Sequence, residues 1–461
     1  MHNWKGQRVV VLGLARQGKA AARYLAEHGA QVVVSDLKPP VALQAACDEL
    51  TDLPIEFVLG SHPPELLAGA DLLCLSGGVP ADLPLAQQAR AAGIGLTNDA
   101  QVFLEACPAA TIGITGSAGK TTTTALVGRM AEQHAGRGSG RAWVGGNIGR
   151  PLLADLPKIR PEDWVVLELS SFQLELMTAG AHVAAVLNLT PNHLDRHHSM
   201  QAYTEAKARI LDCQTAADKA VLGREDAGAW GLRHRVRGEV LAFGRQDHGL
   251  EGTFVAGDQV VMRRQGTVVP LLLLRDIRLR GEHNLLNVLA ACAVAEAAGF
   301  SPAAMAGAVR AFEAVPHRLE FVRNVGGAAW YNDSIGTAPE RSMAALRAFA
   351  EPIVLLAGGR DKALPWDSFA DLVTERVDHL ILFGEAAEKV GRAVEAAMAR
   401  RPTRHPATID RCTTLAEAVQ VAARRAEPGD VVLLSPGGTS FDEFSDFEAR
   451  GEAFRALVQA L

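Results

Sequence analysis

Read for apolar and polar positions alone, the chain alternates two kinds of segment. Short unbroken apolar runs, such as Val9-Val10-Val11-Leu12, are followed by longer alanine-rich stretches. Unbroken runs of four to six aliphatic residues predict strands buried on both faces, and the alanine-rich stretches predict helices. Their alternation predicts an α/β protein of parallel sheets. Three blocks each open on a strand–loop–helix pattern. The first has a strand over residues 8–12, a glycine-containing turn over 13–18, a helix over 19–28 and a strand over 31–36. The second opens near residues 109–114. The third opens near Val315-Pro316 and contains apolar runs at 353–357, 379–383 and 431–435. Domains are therefore expected at 1–107, 108–314 and 315–461, in line with roughly one domain per ~150 residues. Within the second, residues 253–273 predict a small β meander turning at Gly257-Asp258 and Gln265-Gly266. The glycine-rich stretch 137–149 reads as a loop.

Composition narrows the function classes. Of 461 residues 48% are hydrophobic and 21% charged, which excludes a disordered or fibrous chain. A net charge of −6, aromatic residues at only 5% and no basic block argue against nucleic-acid binding. The six cysteines are widely spaced, with no C-x-x-C pair, and predict reduced thiols. No apolar run approaches the ~18–20 residues of a membrane span, and the first residues carry no apolar signal core, so a cytoplasmic protein is expected.

The strongest local signal is Gly116-Ser117-Ala118-Gly119-Lys120-Thr121, after a predicted strand and before a helix. Glycines let backbone N–H groups close around phosphate oxygens, a lysine reaches the terminal phosphates, and the Thr121 hydroxyl can ligate Mg²⁺. Its spacing is shorter than G-x-x-x-x-G-K-[ST], with Ile114 where the first glycine would stand. Gly13-x-Ala15-x-x-Gly18 with Asp36 is similar to a dinucleotide fingerprint, weakened by Ala15; a ligand-free βαβ unit fits it too. Glu168 ends an apolar run, where an unpaired carboxylate is costly. His193 follows another run at 183–189. Lys120, Glu168 and His193 thus all fall at the carboxyl rim of one predicted sheet, where α/β sheets place ligands. Asn284 and Asn287 share a helix face suited to a base or ribose, or to capping. Arg318 and Asp333 could hold phosphate and ribose, or form a salt bridge.

In this order, the glycine–lysine loop, Leu167-Glu168-Leu169-Ser170-Ser171-Phe172-Gln173-Leu174, residues 188–195, 281–287, His317-Arg318 and Asn332-Asp333-Ser334 resemble the Mur ligases, ATP-dependent amide ligases. The resemblance spans residues 9 to about 450. It implies a Rossmann-like UDP-substrate domain, a central phosphate-loop ATPase domain and a mobile Rossmann-like C-terminal domain for glutamate and ATP. It also implies Gly116, Ser117, Ala118, Gly119, Lys120, Thr121, Thr122, Asn284, Asn287, Arg318 and Asp333 as ATP contacts. Arg16, Gln17, Asp36, Gly78, Asn147 and His193 are implied for the UDP-substrate, and Thr337, Lys362, Ser440 and Phe441 for glutamate. Lys120, Glu168, His193 and Lys207 are implied as catalytic, and Thr121, Glu168, His193 and Lys207 as the centre for two Mg²⁺ ions. On residues alone Lys207 reads as a solvated helix lysine; in the family its counterpart is carbamylated by CO2.

The implied reaction is ATP-driven ligation of glutamate to UDP-MurNAc-L-alanine through an acyl phosphate, by a protein expected to be monomeric. The ending 434–444 and the N-terminal unit favour the branch that uses D-glutamate. Two positions depart from the family pattern. Ser117-Ala118 replaces Thr-Asn, and Ile335 replaces a lysine that contacts the incoming glutamate. Ile335 keeps L-glutamate as an alternative, with Lys362 the remaining charged anchor; a folylpolyglutamate-type ligase is a second alternative, which the N-terminal nucleotide-sugar domain argues against.

Overall fold

The computed structural model describes all residues other than 1, 2, 137–139, 148, 150, 363 and 401–404. Three sheets form, and parallel pairing dominates each. The first holds β1 (Arg8–Leu12), β2 (Gln31–Asp36), β3 (Ile55–Leu59), β4 (Leu72–Leu75) and β5 (Gly95–Asn98), in the order β3-β2-β1-β4-β5 and parallel throughout. The second holds β6 (Ala110–Thr115), β7 (Ala142–Gly146), β8 (Trp164–Glu168), β9 (Val183–Val186), β10 (Lys219–Gly223), β11 (Glu239–Phe243), β12 (Gly252–Ala256), β13 (Gln259–Arg264) and β14 (Thr267–Leu273). Its order is β14-β13-β12-β11-β10-β9-β6-β8-β7. β12, β13 and β14 pair antiparallel and are the expected meander.

The third sheet holds β15 (Glu320–Val325), β16 (Ala328–Asn332), β17 (Ile353–Gly358), β18 (His379–Phe383), β19 (Thr408–Cys412) and β20 (Val431–Gly437), in the order β15-β16-β20-β17-β18-β19. Only β15 runs antiparallel to its neighbour.

One expectation is overturned. Residues 142–146, read as part of a glycine-rich loop, form β7, the edge strand paired with β8. Ala142-Trp143-Val144 is apolar enough to pack, and Val144 lies against Gly128 of the helix Lys120–Ala135. Residues 137–139 and 148 of that stretch lie outside the described residues.

By its contacts the chain divides into two compact units. One comprises Met1–Ile277 with His283–Ala311, the other Arg278–Glu282 with Phe312–Leu461. The first two sheets share one apolar core, in which Val9, Val11 and Val34 join Val165, Leu167 and Val186. Asn98 and Gln101 reach across to Gln173 and Thr178, which ties the two sheets together with side-chain hydrogen bonds. Among the described residues no helix is long and apolar enough to cross a membrane.

Candidate active site

The carboxyl ends of β9, β6, β8 and β7 lie side by side, with Thr115 opposite Val186 and Glu168 opposite both Ile114 and Gly146. The phosphate loop leaves β6 here and enters the helix Lys120–Ala135. Gly119 caps that helix with φ 83°, and a Cβ there would collide with the Asn287 side-chain oxygen. Glycine is therefore required both for the left-handed turn and for the approach of Asn287. Asn287 in turn donates to Asn284 Oδ1 at 3.0 Å, so these two amides pair with one another against the loop.

The loop after β9 stitches the phosphate loop in place. Asn188 Oδ1 accepts from Ala118 N at 2.8 Å, and Asn188 Nδ2 donates to Ala118 O at 3.1 Å. The Ser117 hydroxyl donates to Thr190 O at 2.9 Å, accepts from Thr190 N at 2.9 Å and meets the Tyr203 hydroxyl at 3.0 Å. Asn188, within the 188–195 segment, thus engages the N–H groups of Ser117 and Ala118 and fixes this part of the loop against the chain after β9. Lys120 Nζ donates to Gly116 O at 2.9 Å and Ser117 O at 3.3 Å. Thr122 is buried in the first turn of the helix.

Glu168 is buried, and each of its oxygens has a neutral donor. Thr121 Oγ1 donates to Oε2 at 2.8 Å, and Asn147 Nδ2 donates to Oε1 at 2.9 Å. Lys207 projects from the helix Met200–Asp212 and is 1% exposed. Its ammonium donates to Thr115 Oγ1 at 3.2 Å and lies 4.9 Å from the Tyr203 ring centre. Burial, and then the Lys120 charge, push Lys207 well below the usual lysine range, with Glu168 opposing them. A buried lysine with a depressed pKa replaces the solvated residue expected from local sequence alone. His193 adopts φ 53° and sets its ring edge-on to Phe172, 5.4 Å between centres. Oxygen donors at Thr121 and Glu168 suit a hard divalent cation such as Mg²⁺. Among the described residues no three His, Cys, Asp or Glu side chains converge as a complete cage.

At the first sheet, Asp36 Oδ2 accepts from Leu14 N at 2.7 Å and Oδ1 from Lys38 N at 2.9 Å. Asp36 therefore braces the turn after β1. Arg16, the first residue of the helix Arg16–Glu27, is exposed. Gln17 lies against Gly77, next to Gly78, and its amide lies 3.5 Å from Gly146 O, one residue before Asn147. A cavity of about 440 Å³ opens nearby, lined by Asp82, Phe172, Glu175, Arg196 and Arg209 among others.

In the second unit, Asp333 follows β16 and is buried. Burial raises its carboxyl to about 6, against the Ser435 hydroxyl that donates to Oδ2 at 2.7 Å and the Arg318 charge nearby. Lys362 Nζ lies 3.4 Å from the Thr337 hydroxyl, which brings two of the expected glutamate contacts together. Partial burial, then the Arg341 and Arg450 charges, lower the Lys362 pKa. Ser440 is buried and Phe441 is 60% exposed. Arg450, which the sequence reading missed, lies behind this group; it sits in an amphipathic C-terminal helix whose pattern gave no sign of a buried charge.

Comparison with known proteins bears on this arrangement. Residues 7–98 match the N-terminal domain of MurD-like Mur ligases, residues 114–295 the Mur ligase middle domain, and residues 317–438 the Mur ligase glutamate ligase domain. The UDP-N-acetylmuramoylalanine–D-glutamate ligase of Symbiobacterium thermophilum is 42% identical over 458 residues, covering 99% of this chain and 98% of that one. The like-named protein of Desulfitobacterium hafniense is 40% identical over 460 residues, covering 99% and 98%. Among solved structures, the UDP-N-acetylmuramate–alanine ligase of Thermotoga maritima has the same fold, with a TM-score of 0.60 at 18% identity over 98% of this chain and 99% of that one. With relatives this similar along its whole length, the chain belongs to the Mur ligase family.

Proposed function

We propose that the protein joins D-glutamate to UDP-MurNAc-L-alanine in peptidoglycan precursor synthesis, at the expense of ATP. The supporting observation is the convergence of the phosphate loop, Glu168 and Lys207 on one sheet edge, in a chain 42% identical to a D-glutamate ligase. A carboxylate oxygen of UDP-MurNAc-L-alanine attacks the γ-phosphorus, the bond to ADP breaks, and an acyl phosphate forms. The glutamate amine then attacks the acyl carbon, loses a proton and expels phosphate. Both steps depend on positioning and charge neutralisation more than on an activated protein nucleophile.

The Lys120 ammonium and those loop N–H groups that Asn188 does not engage hold and neutralise the ATP phosphates. Asn284 and Asn287, paired with one another against Gly119, take the ATP base or ribose. Thr121, Glu168, His193 and a carbamylated Lys207 would hold Mg²⁺, which when bound supplies Lewis-acid stabilisation of phosphate and acyl oxygens. The depressed pKa of Lys207 favours the neutral amine, whose nitrogen attacks CO2, releases a proton and leaves an anion. Glu168 is kept in place by Thr121 and Asn147. Arg16, Gln17, Asp36, Gly78, Asn147 and His193 form the UDP-substrate path. In the second unit, Arg318 and Asp333 serve ATP, and Thr337, Lys362, Ser440 and Phe441 take the glutamate, with Lys362 its charged anchor in the place that Ile335 leaves.

The test is ADP release on adding ATP, Mg²⁺ and UDP-MurNAc-L-alanine with D-glutamate, L-glutamate or neither. Release is expected with D-glutamate and at most a few per cent of that rate with L-glutamate, since a charge left unpaired in a pocket costs on the order of 2–5 kcal/mol. A preference for L-glutamate would overturn the assignment.

A further inference from the structure

Three strand ends of the third sheet carry the four residues proposed to take glutamate. Thr337 follows β16, Lys362 follows β17, and Ser440 and Phe441 follow β20. The loops that carry them are not neighbours in sequence, so something must fix their spacing. Arg450, from the helix Phe447–Gln459, lies at that point and is 0% exposed.

Its guanidinium donates four hydrogen bonds into two of the loops. Nε donates to Ser334 Oγ at 3.0 Å and Nη2 to Ser334 O at 2.8 Å, which fixes the chain after β16. Nη1 donates to Gly438 O at 3.1 Å and Thr439 O at 3.0 Å, which fixes the chain after β20. The third loop comes in through the same residues. Thr439 and Arg360 exchange backbone bonds of 2.9 and 2.7 Å. Gly359, with φ 85°, has no room for a Cβ, because Thr439 O and Arg450 Nη1 already occupy that space. Each proposed glutamate contact lies within three residues of a group that Arg450 bonds or touches.

We infer that Arg450 is a positioning residue for the amino-acid substrate: its planar fork sets the relative places of Thr337, Lys362, Ser440 and Phe441. The inference rests on the reading of those four residues as the glutamate pocket. An arginine is suited to the task because five N–H donors in one rigid plane can serve several acceptors at fixed angles, which an ammonium on a flexible stem cannot. Its bonds go to carbonyls and a hydroxyl, not to a carboxylate, so the positive charge is not cancelled by contact and remains to favour the two carboxylates of the amino acid. Burial lowers the guanidinium pKa to about 10, with Asp442, Asp333 and Glu443 opposing, so it stays charged at neutral pH.

The test compares three variants of the full-length protein, Lys362→Ala, Arg450→Lys and Ser334→Ala, by the KM for D-glutamate, ATP and UDP-MurNAc-L-alanine. Arg450→Lys should raise the KM for D-glutamate about tenfold or more and leave the other two within about twofold, since small displacements of a binding group are costly where pairing is directional. Ser334→Ala removes one acceptor of the fork and should raise the same KM about threefold; it serves if the lysine variant does not fold. A general structural role would shift all three constants or only the melting temperature. Arg450 is refuted as a positioning residue if Lys362→Ala raises the glutamate KM selectively while neither Arg450→Lys nor Ser334→Ala does. If Lys362→Ala leaves that KM unchanged, the pocket assignment fails and the role of Arg450 falls with it.

Discussion

Each unit buries one cation at its site, and the two are built differently. Lys207, 1% exposed, faces a hydroxyl and the face of a tyrosine. Arg450, 0% exposed, is surrounded by carbonyls that accept from nearly every face of its fork. Burial acts against both charges. The lysine has few acceptors and a repelling Lys120 nearby, and is driven toward the neutral amine. The arginine keeps its charge, at a pKa of about 10. In the proposed mechanism what differs is use: a site that converts its cation into an anion needs a group that can lose a proton, and a site that presents a fixed positive charge needs one that cannot.

The largest expected effect comes from breaking the convertible member. Lys207→Ala should reduce kcat on the order of 100- to 1000-fold, the scale of one lost stabilising group in an enclosed site. Added formate or acetate should restore part of it by supplying an anion. Lys207→Arg should be as inactive, with no response to carboxylates, because the guanidinium holds its proton. Full activity of either variant without additive contradicts the carbamate role.

Carboxyls extend the contrast. Asp99, buried beneath Gln173 at the junction of the first two sheets, has its pKa raised by burial from 3.8 to about 6. A raised folded-state pKa means that the folded form holds the proton more tightly. Stability from this group is therefore present below about pH 4 and is lost as pH rises through about 6. Asp99→Asn removes that dependence. Between pH 4 and pH 7 the variant should gain on the parent by at most about 3 kcal/mol in urea unfolding of the first unit. A difference that does not change with pH would show that Asp99 ionises without penalty.

A smaller effect is expected at the phosphate loop. Asn188→Ala removes two bonds to Ala118, worth about 1–2 kcal/mol together, and should raise the KM for ATP roughly 5- to 30-fold. The KM for D-glutamate, whose proposed pocket lies in the other unit, should stay within about twofold. Equal changes in both would undo the separation of the two sites.

Much of this architecture could be read from residue patterns. Aliphatic runs such as 9–12, 353–357 and 431–434 are strands because burial on both faces leaves no polar positions, and that signal needs no partner to interpret. The glycine–lysine loop and Glu168 were legible for a related reason, since glycine and a buried carboxylate are expensive to keep where nothing requires them. The failures are where the cause lies elsewhere in the chain. β7 was hidden among glycines because its stability comes from β8 and from Val144 packing on Gly128, both non-local. Lys207 looked solvated because its burial depends on β6, which holds Thr115 92 residues away, and not only on Tyr203 one turn back in its own helix. Arg450 carried no signal at all. Its four acceptors lie 11 to 116 residues away, and only the fold brings them together.

The central claim is that the phosphate-loop centre activates the substrate carboxylate, while the Arg450-supported pocket receives the amino acid. Positional isotope exchange tests it most directly. ATP carrying ¹⁸O in the β–γ bridge is incubated with UDP-MurNAc-L-alanine and no glutamate, and movement of the label to the non-bridging β position reports reversible acyl phosphate formation. The account predicts exchange in the parent protein, exchange of similar rate in Arg450→Lys, and none in Lys207→Ala. Exchange abolished by Arg450→Lys, or retained in Lys207→Ala, would contradict it.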